Sequence, residues 1–203
     1  MIMEKKTYHH GNLKAALIEA GIELMNEAGE EGLSLRKIAK RCGVSSAAPY
    51  AHFDGKTELI AAMQEYVTEK FMRYLKQAIE QCEHPGTHEE IFCMGKAYVL
   101  VFLENPQYYK FLYFHNYMKV DFSIDSKDNY PPFQLLKDTV LRLHEREGIH
   151  LAKQDQELEL LKLWSDVHGL ASIASMNHHN IIWNQAWDET IENILCYHDK
   201  SGE

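Results

Sequence analysis

Ser34-Leu35-Arg36-Lys37-Ile38-Ala39-Lys40-Arg41-Cys42-Gly43-Val44-Ser45-Ser46-Ala47-Ala48-Pro49-Tyr50-Ala51-His52-Phe53 reads as two short helices on either side of a tight turn. Ser34 is a residue type suited to cap a helix over 35–41. Gly43 stands where the chain must turn and can take a positive φ. Ser45 or Ser46 can cap the second helix. Ala39 is small where the two helices must approach, and Leu35, Ile38, Val44 and Tyr50 can supply the core between them. Ser45, Ser46, Ala47, Ala48, Ala51 and His52 are then left on the outer sides of the second helix. Short side chains there suit a helix lying deep in a DNA major groove, where base edges are read. Ser34 and the amides beside it can hold a phosphate, and Arg36, Arg41 and Lys56 add Coulombic attraction.

The charge distribution agrees. Residues 1–60 balance eight basic against eight acidic groups, so the whole net charge of −9 falls on residues 61–203. Within 34–56, Arg36, Lys37, Lys40, Arg41 and Lys56 oppose Asp54 alone, a local +4. A basic patch on an otherwise acidic chain fits a phosphate-contacting surface, although a solvated helix face has the same composition.

Outward from this stretch the pattern is helical nearly throughout, and the expected fold class is all-α with about nine helices. Upstream, Leu13, Ala16, Leu17, Ala20, Leu24 and Ala28 recur at helical spacing, and Gly29 ends the run. Downstream, Ile60, Met63, Val67, Phe71, Leu75, Ile79 and Cys82 mark one side of a long helix that His84-Pro85-Gly86 stops. Thr87 with Glu90 forms a capping box for a helix to about Glu104. Asn105-Pro106 opens another, to about Met118. Val120, Phe122 and Ile124 alternate with polar residues in a loop, and Pro131-Pro132 opens a helix ending near Gly148. The last two helices are expected at about 154–178 and 185–198.

The stretch Ser34-Leu35-Arg36-Lys37-Ile38-Ala39, Gly43-Val44-Ser45, Tyr50, His52-Phe53 and Lys56-Thr57-Glu58-Leu59 together resemble the TetR family of bacterial transcriptional regulators. The resemblance covers about residues 8–67 and makes them a helix-turn-helix DNA-binding domain, leaving 68–203 as a helical ligand-binding and dimerisation domain. Tyr8-His9-His10-Gly11-Asn12-Leu13 is similar to the opening of one subset. Trp164-Ser165-Asp166-Val167-His168-Gly169 is similar to the signature of one C-terminal domain type. The resemblance implies DNA contacts from Ser34, Arg36, Arg41, Ser45, Ser46, Ala47, Tyr50, His52 and Lys56. For Tyr50 a place in the core is an equal alternative, and Phe53 is expected in the core. Two positions depart from the family pattern: Ala47 stands where glycine is common, and Pro49 where an aliphatic residue is. Pro49 lacks an N–H and opposes the Ser45 carbonyl, so the recognition helix is expected to start late or be distorted.

The second domain is rich in aromatic residues on helices. Tyr98, Phe102, Tyr109, Phe114, His115, Trp164 and His168 are candidates to line a pocket for a small apolar or aromatic effector, with Asn116 a further polar candidate. His168-Gly169 fits a close helix crossing equally well. Leu158, Leu161, Val167, Leu170, Ala171 and Ala174, with Trp187, Ile191, Ile194 and Leu195, give the last helices enough apolar surface for an isologous partner. Within that set Leu170, Ala174, Trp187, Ile191 and Ile194 are the expected homodimer contacts. The reading is a ligand-responsive regulator on a palindromic double-stranded operator, most often a repressor in this family. The alternative is a helical interaction module or small-molecule-binding protein without operator binding.

Other classes find little support. No paired carboxylate, nucleophile elbow or phosphate loop points to an enzyme, and no cofactor is implied. Cys42, Cys82, Cys93 and Cys196 lack two-residue spacing, so unbridged thiols are expected and no metal site. Adjacent histidines, His9-His10 and His178-His179, do not share a helix face. The longest apolar run, 97–103, is far short of the ~18 residues of a membrane span, and Met1 to His10 has no apolar signal core, so a cytoplasmic location is expected.

Overall fold

The structure, a computed structural model, describes residues 13–115, 117–176 and 186–195. Tyr8 to Asn12, Asn116, His178-His179 and Cys196, all singled out above, lie outside them. Every regular element among the described residues is helical: α1 (Leu13–Gly32), α2 (Leu35–Cys42), a 3₁₀ helix (Ala48–Ala51), α3 (Lys56–Glu80), α4 (His88–Glu104), α5 (Pro106–Phe114), α6 (Pro131–Glu147), α7 (Lys153–Ser175) and α8 (Trp187–Leu195). No described helix is long and apolar enough to cross a membrane. The chain divides into two compact units, Met1–Tyr66 and Val67–Glu203.

In the first unit α1 buries Leu17, Ile18, Ile22 and Met25 completely or nearly so. The face expected from Leu13, Leu24 and Ala28 is turned away from that line: Leu13 and Leu24 are half-buried and Ala28 is exposed. The cause is Gly21, where an added Cβ would meet Met63 Sδ at 2.9 Å and Ile38 Cδ1 at 3.5 Å. The helices close on the side that has no side chain. Gly29, at φ 66° and ψ −177°, breaks the helix as expected, and one further turn follows to Gly32. α2 covers Leu35, Ile38 and Ala39, while Phe53, Leu59 and Met63 seal the same core from downstream.

Gly43 closes α2 in the left-handed conformation, φ 69° and ψ 25°. Its N–H donates to the Lys40 carbonyl and that of Val44 to the Ala39 carbonyl, at 3.2 and 3.0 Å, which satisfies the carbonyls left open at a helix end. Ser34 sits at the N-cap with extended backbone, but its side chain makes no capping bond. Pro49 lies in the first turn of the 3₁₀ helix, which begins only at Ala48. The second helix of the motif thus starts late, for the reason expected of a residue without an N–H. Tyr50 is 52% exposed rather than part of the core, whereas Phe53 is buried.

In the second unit α4 is central and packs against α5, α6, α7 and α8. Thr87 Oγ1 accepts the Glu89 N–H at 3.2 Å. Glu90 does not complete the expected box: it accepts from the Gly86 N–H and pairs with Arg142 at 2.9 Å, itself buried. α5 closes at Phe114, before the expected Met118, because the Tyr117 N–H turns back to the Leu112 carbonyl in a helix-ending bond. Phe71, Tyr98, Phe102 and Tyr109 meet edge to face at ring separations of 5.0–5.4 Å. Such pairs add about 0.5–1.5 kcal/mol each beyond their area. Lys96 holds α8 through Glu192 at 2.6 Å and Asp188 at 3.6 Å.

A Cβ added at Gly43 meets nothing within 4 Å, so the cost of a side chain there is conformational alone. Gly43→Ala is expected to destabilise the fold by about 1 kcal/mol in urea unfolding. Gly55→Ala, at a position without positive φ and equally open, should change it far less.

Candidate nucleic-acid interface and effector cavity

The motif turns one polar surface outward. Ser45, Ser46, Ala47, Tyr50 and Ala51 are exposed and His52 is half-buried, its ring tilted 56° to Phe53 at 6.3 Å. Arg36 is exposed on α2, as is Lys40 one turn on. Neither has an ion pair among the described residues. The other cations are committed inside the unit. Arg41 pairs with Glu27 at 2.6 Å and Glu23 at 3.4 Å, and its hydrogen bond to Glu27 raises its pKa further. Lys56 Nζ donates to the Glu30 carbonyl at 2.5 Å, and Lys37 Nζ to that of Gly32 at 3.0 Å. Two lysines thereby tie down the end of α1, a task no sequence pattern announced. Lys40 is the candidate that the site set above lacked; its place four residues after Arg36 puts both on one helix face.

A cavity of about 670 Å³ opens in the second unit among α3, α4, α6, α7 and α8. Its apolar wall includes Ile91, Phe92, Met94, Leu136 and Leu163, and Tyr98 and Trp164 line it from the expected set. The carboxyl side chains of Glu89, Glu159 and Asp166 and the imidazole of His88 bring polar groups to it. None of these four was read as a pocket residue, because polar groups on half-buried helix faces look like solvent contacts in a linear sequence. Phe114 is 74% exposed and does not line the cavity. Phe102 is a fully buried core residue, and His115 packs on Phe111 and Tyr117.

Tyr109 and His168 instead join Tyr98 and Tyr113 in a polar cluster next to the cavity wall. The Tyr98 hydroxyl bonds to that of Tyr113 and lies 3.2 Å from His168 Nδ1. Tyr109 Oη lies 3.3 Å from His168 Nε2, and the Tyr113 ring stands 4.4 Å from the imidazole. Burial pushes the Tyr98 and Tyr113 hydroxyls well above their ordinary range and holds His168 below its own. All four groups are therefore neutral near pH 7. With one donor and one acceptor nitrogen, neutral His168 suits two hydroxyls.

The expected dimer residues divide. Leu170, Ala174 and Ile191 are buried within the single chain, so they belong to its own core and have little left to offer a partner. Trp187 is half-buried and Ile194 exposed. The outward line of α7 runs instead through Leu158, Leu161, Ser165, Gly169, Ile173 and Met176, all exposed. At Gly169 an added Cβ meets nothing.

Residues 17–63, which hold the turn and the helices on either side of it, match the family model described as bacterial regulatory proteins, tetR family. The chain is 42% identical to the tetracycline repressor protein class C of Escherichia coli over 52 residues, 26% of this chain and 24% of the relative. It is 35% identical to the HTH-type transcriptional regulator BetI of Brucella canis over 75 residues, 37% of each. The match thus spans about a quarter of the first relative's length. The ketosteroid transcriptional regulator KstR2 of Mycobacterium tuberculosis shares the fold over 95% of this chain and 96% of its own, at TM-score 0.60 and 14% identity.

Because His168 is held below its ordinary pKa, the unfolded chain takes up a proton there before the folded chain does. Stability is expected to fall as pH drops below about 6.5, until folded His168 itself protonates. Parallel denaturation of His168→Gln across that window should show a flatter acid limb than the parent.

Proposed function

We propose that the chain is a DNA-binding transcriptional regulator, a repressor that binds a palindromic operator as a homodimer and is released by a small effector. One observation carries the DNA reading: the exposed short-chain surface Ser45, Ser46 and Ala47, with Tyr50, shares the motif with two exposed cations, Arg36 and Lys40, that have no ion pair among the described residues. Short side chains and an outward tyrosine fit base edges and thymine methyls, and the cations fit phosphates. His52 and Ser34 complete the contact set. Arg41 and Lys56 act on DNA through the surface they hold in place, and through whatever charge their partners leave uncompensated. The family-model match over residues 17–63 supports the same reading.

The effector would enter the 670 Å³ cavity. An apolar or aromatic body suits the wall. The carboxylates Glu89, Glu159 and Asp166 favour a compound that also carries a cationic or hydrogen-bond-donating end. For release, the effector must prefer the non-binding state; a preference of ~10⁴ turns a 1:99 population into 99:1. Dimerisation uses the outward line of α7 with Ile194 of α8, where Ser165 and Gly169 allow a close helix crossing. A two-fold pair is also what places two recognition elements ~34–36 Å apart on successive major grooves.

Gel shifts on the DNA upstream of the gene test the reading, and a footprint without two-fold symmetry would count against it. Arg36→Ala and Lys40→Ala should each weaken binding to all duplex DNA and flatten the salt slope by about one. Arg41→Ala should mainly lower stability. A slope unchanged in both former variants would remove the proposed phosphate face. Ile173→Glu is expected to shift the chain from dimer to monomer in sedimentation velocity and to cost operator affinity in proportion.

A further inference from the structure

Cys82 and Cys93 lie on opposite sides of the turn between α3 and α4, and the fold brings their sulfurs together with a carboxylate between them. Cys82 follows α3, Glu89 stands in the first turn of α4, and Cys93 lies one turn further on the same face. One donor atom from each of the three lies within 4.8 Å of the other two. Cys82 Sγ is 3.8 Å from Glu89 Oε1. Two ligands on one tetrahedral Zn²⁺, with bonds of about 2.0–2.3 Å, stand about 3.5–3.8 Å apart. The separations in place are therefore a rotamer adjustment away from coordination distances.

We infer that Cys82, Glu89 and Cys93 form a binding site for a thiophilic divalent cation of the Zn²⁺ type. The donor set favours such an ion over Mg²⁺ or Ca²⁺, which take oxygen ligands in larger number. Three protein donors leave a fourth tetrahedral position for water or a small-molecule donor. The surroundings are already ordered as a ligand set needs. His84 Nδ1 lies 2.5 Å from the other oxygen of Glu89 and fixes that carboxylate from outside, as ligand-orienting neighbours do. The turn is held by Arg146, whose Nη1 donates to the Gly86 carbonyl at 2.7 Å, and by the Thr87 cap on Glu89.

A disulfide is the rival use of two close thiols, and it makes no use of the carboxylate that sits with them. A divalent cation takes that same carboxylate as a ligand. Glu89 also lines the cavity, so a bound cation would change the charge at its rim. The site itself stands whether or not the chain binds DNA.

Titration of the reduced, metal-stripped full chain with Co²⁺ tests the inference, because histidines elsewhere cannot produce a thiolate-to-cobalt charge-transfer band. The expected result is one such band, saturating at one ion per chain and reversed by Zn²⁺. Cys82→Ser and Cys93→Ser should each abolish it, and Glu89→Gln should weaken Co²⁺ binding about tenfold or more. Helical circular dichroism identical to the parent certifies each variant as folded. Melting of the parent supplies a second measure: Zn²⁺ should raise the midpoint and equimolar Mg²⁺ should not. Absence of the band in the parent, its survival in the double cysteine variant, or unchanged affinity in Glu89→Gln would each overturn the three-donor site.

Discussion

The close approach of three helices at Gly21 is the constraint on which the first unit rests. Met63 and Ile38 fill the space a side chain would take, so α1, α2 and the start of α3 share one dense core. The left-handed turn at Gly43 then leads the chain across the surface, where Ser45, Ser46, Ala47, Tyr50 and Ala51 are exposed and only Pro49 of residues 44–51 is buried. The polar face is thus a by-product of packing: what cannot enter the core becomes the part that can meet a partner.

Pro49 adds a second consequence of the same kind. A regular α-helix would carry Ser45, Ser46 and Ala47 on its first turn, with their N–H groups at its positive end. Here the regular turn begins at Ala48 and is of the tighter 3₁₀ type. The residues before it keep a turn conformation of their own. The presentation of this surface therefore follows from Pro49 itself.

The turn, the capping glycines and the helix count were legible because each depends on local chemistry. Gly43 needs no neighbour to explain it, and Pro49 foretold a late helix from its missing donor alone. What could not be read depends on residues distant in sequence. The seam of α1 shifted because Gly21 meets Met63 across the core. Arg41 and Lys56 looked like free cations, yet Glu27 and Glu30 lie against them only once the helices are stacked. Leu170, Ala174 and Ile191 have the spacing of an interface, but they are buried within the single chain. Cys82 and Cys93 fail every short-spacing rule because a turn, rather than a motif, unites them. In the aromatic-rich unit, helical periodicity says which residues face inward and is silent on whether they meet atoms or a void.

The cluster of Tyr98, Tyr109, Tyr113 and His168 has an implication for whatever occupies the space beside it. Its hydroxyls and imidazole nitrogens already bond one another, with Tyr98 and Tyr109 buried and Tyr113 and His168 half-buried. A newcomer that disturbs Tyr98 must hand back an equivalent donor or acceptor, or leave a polar atom stranded at a cost of about 1–3 kcal/mol. A molecule that met the cavity wall at Tyr98 would thus be sorted by its hydrogen-bonding groups as well as by its shape.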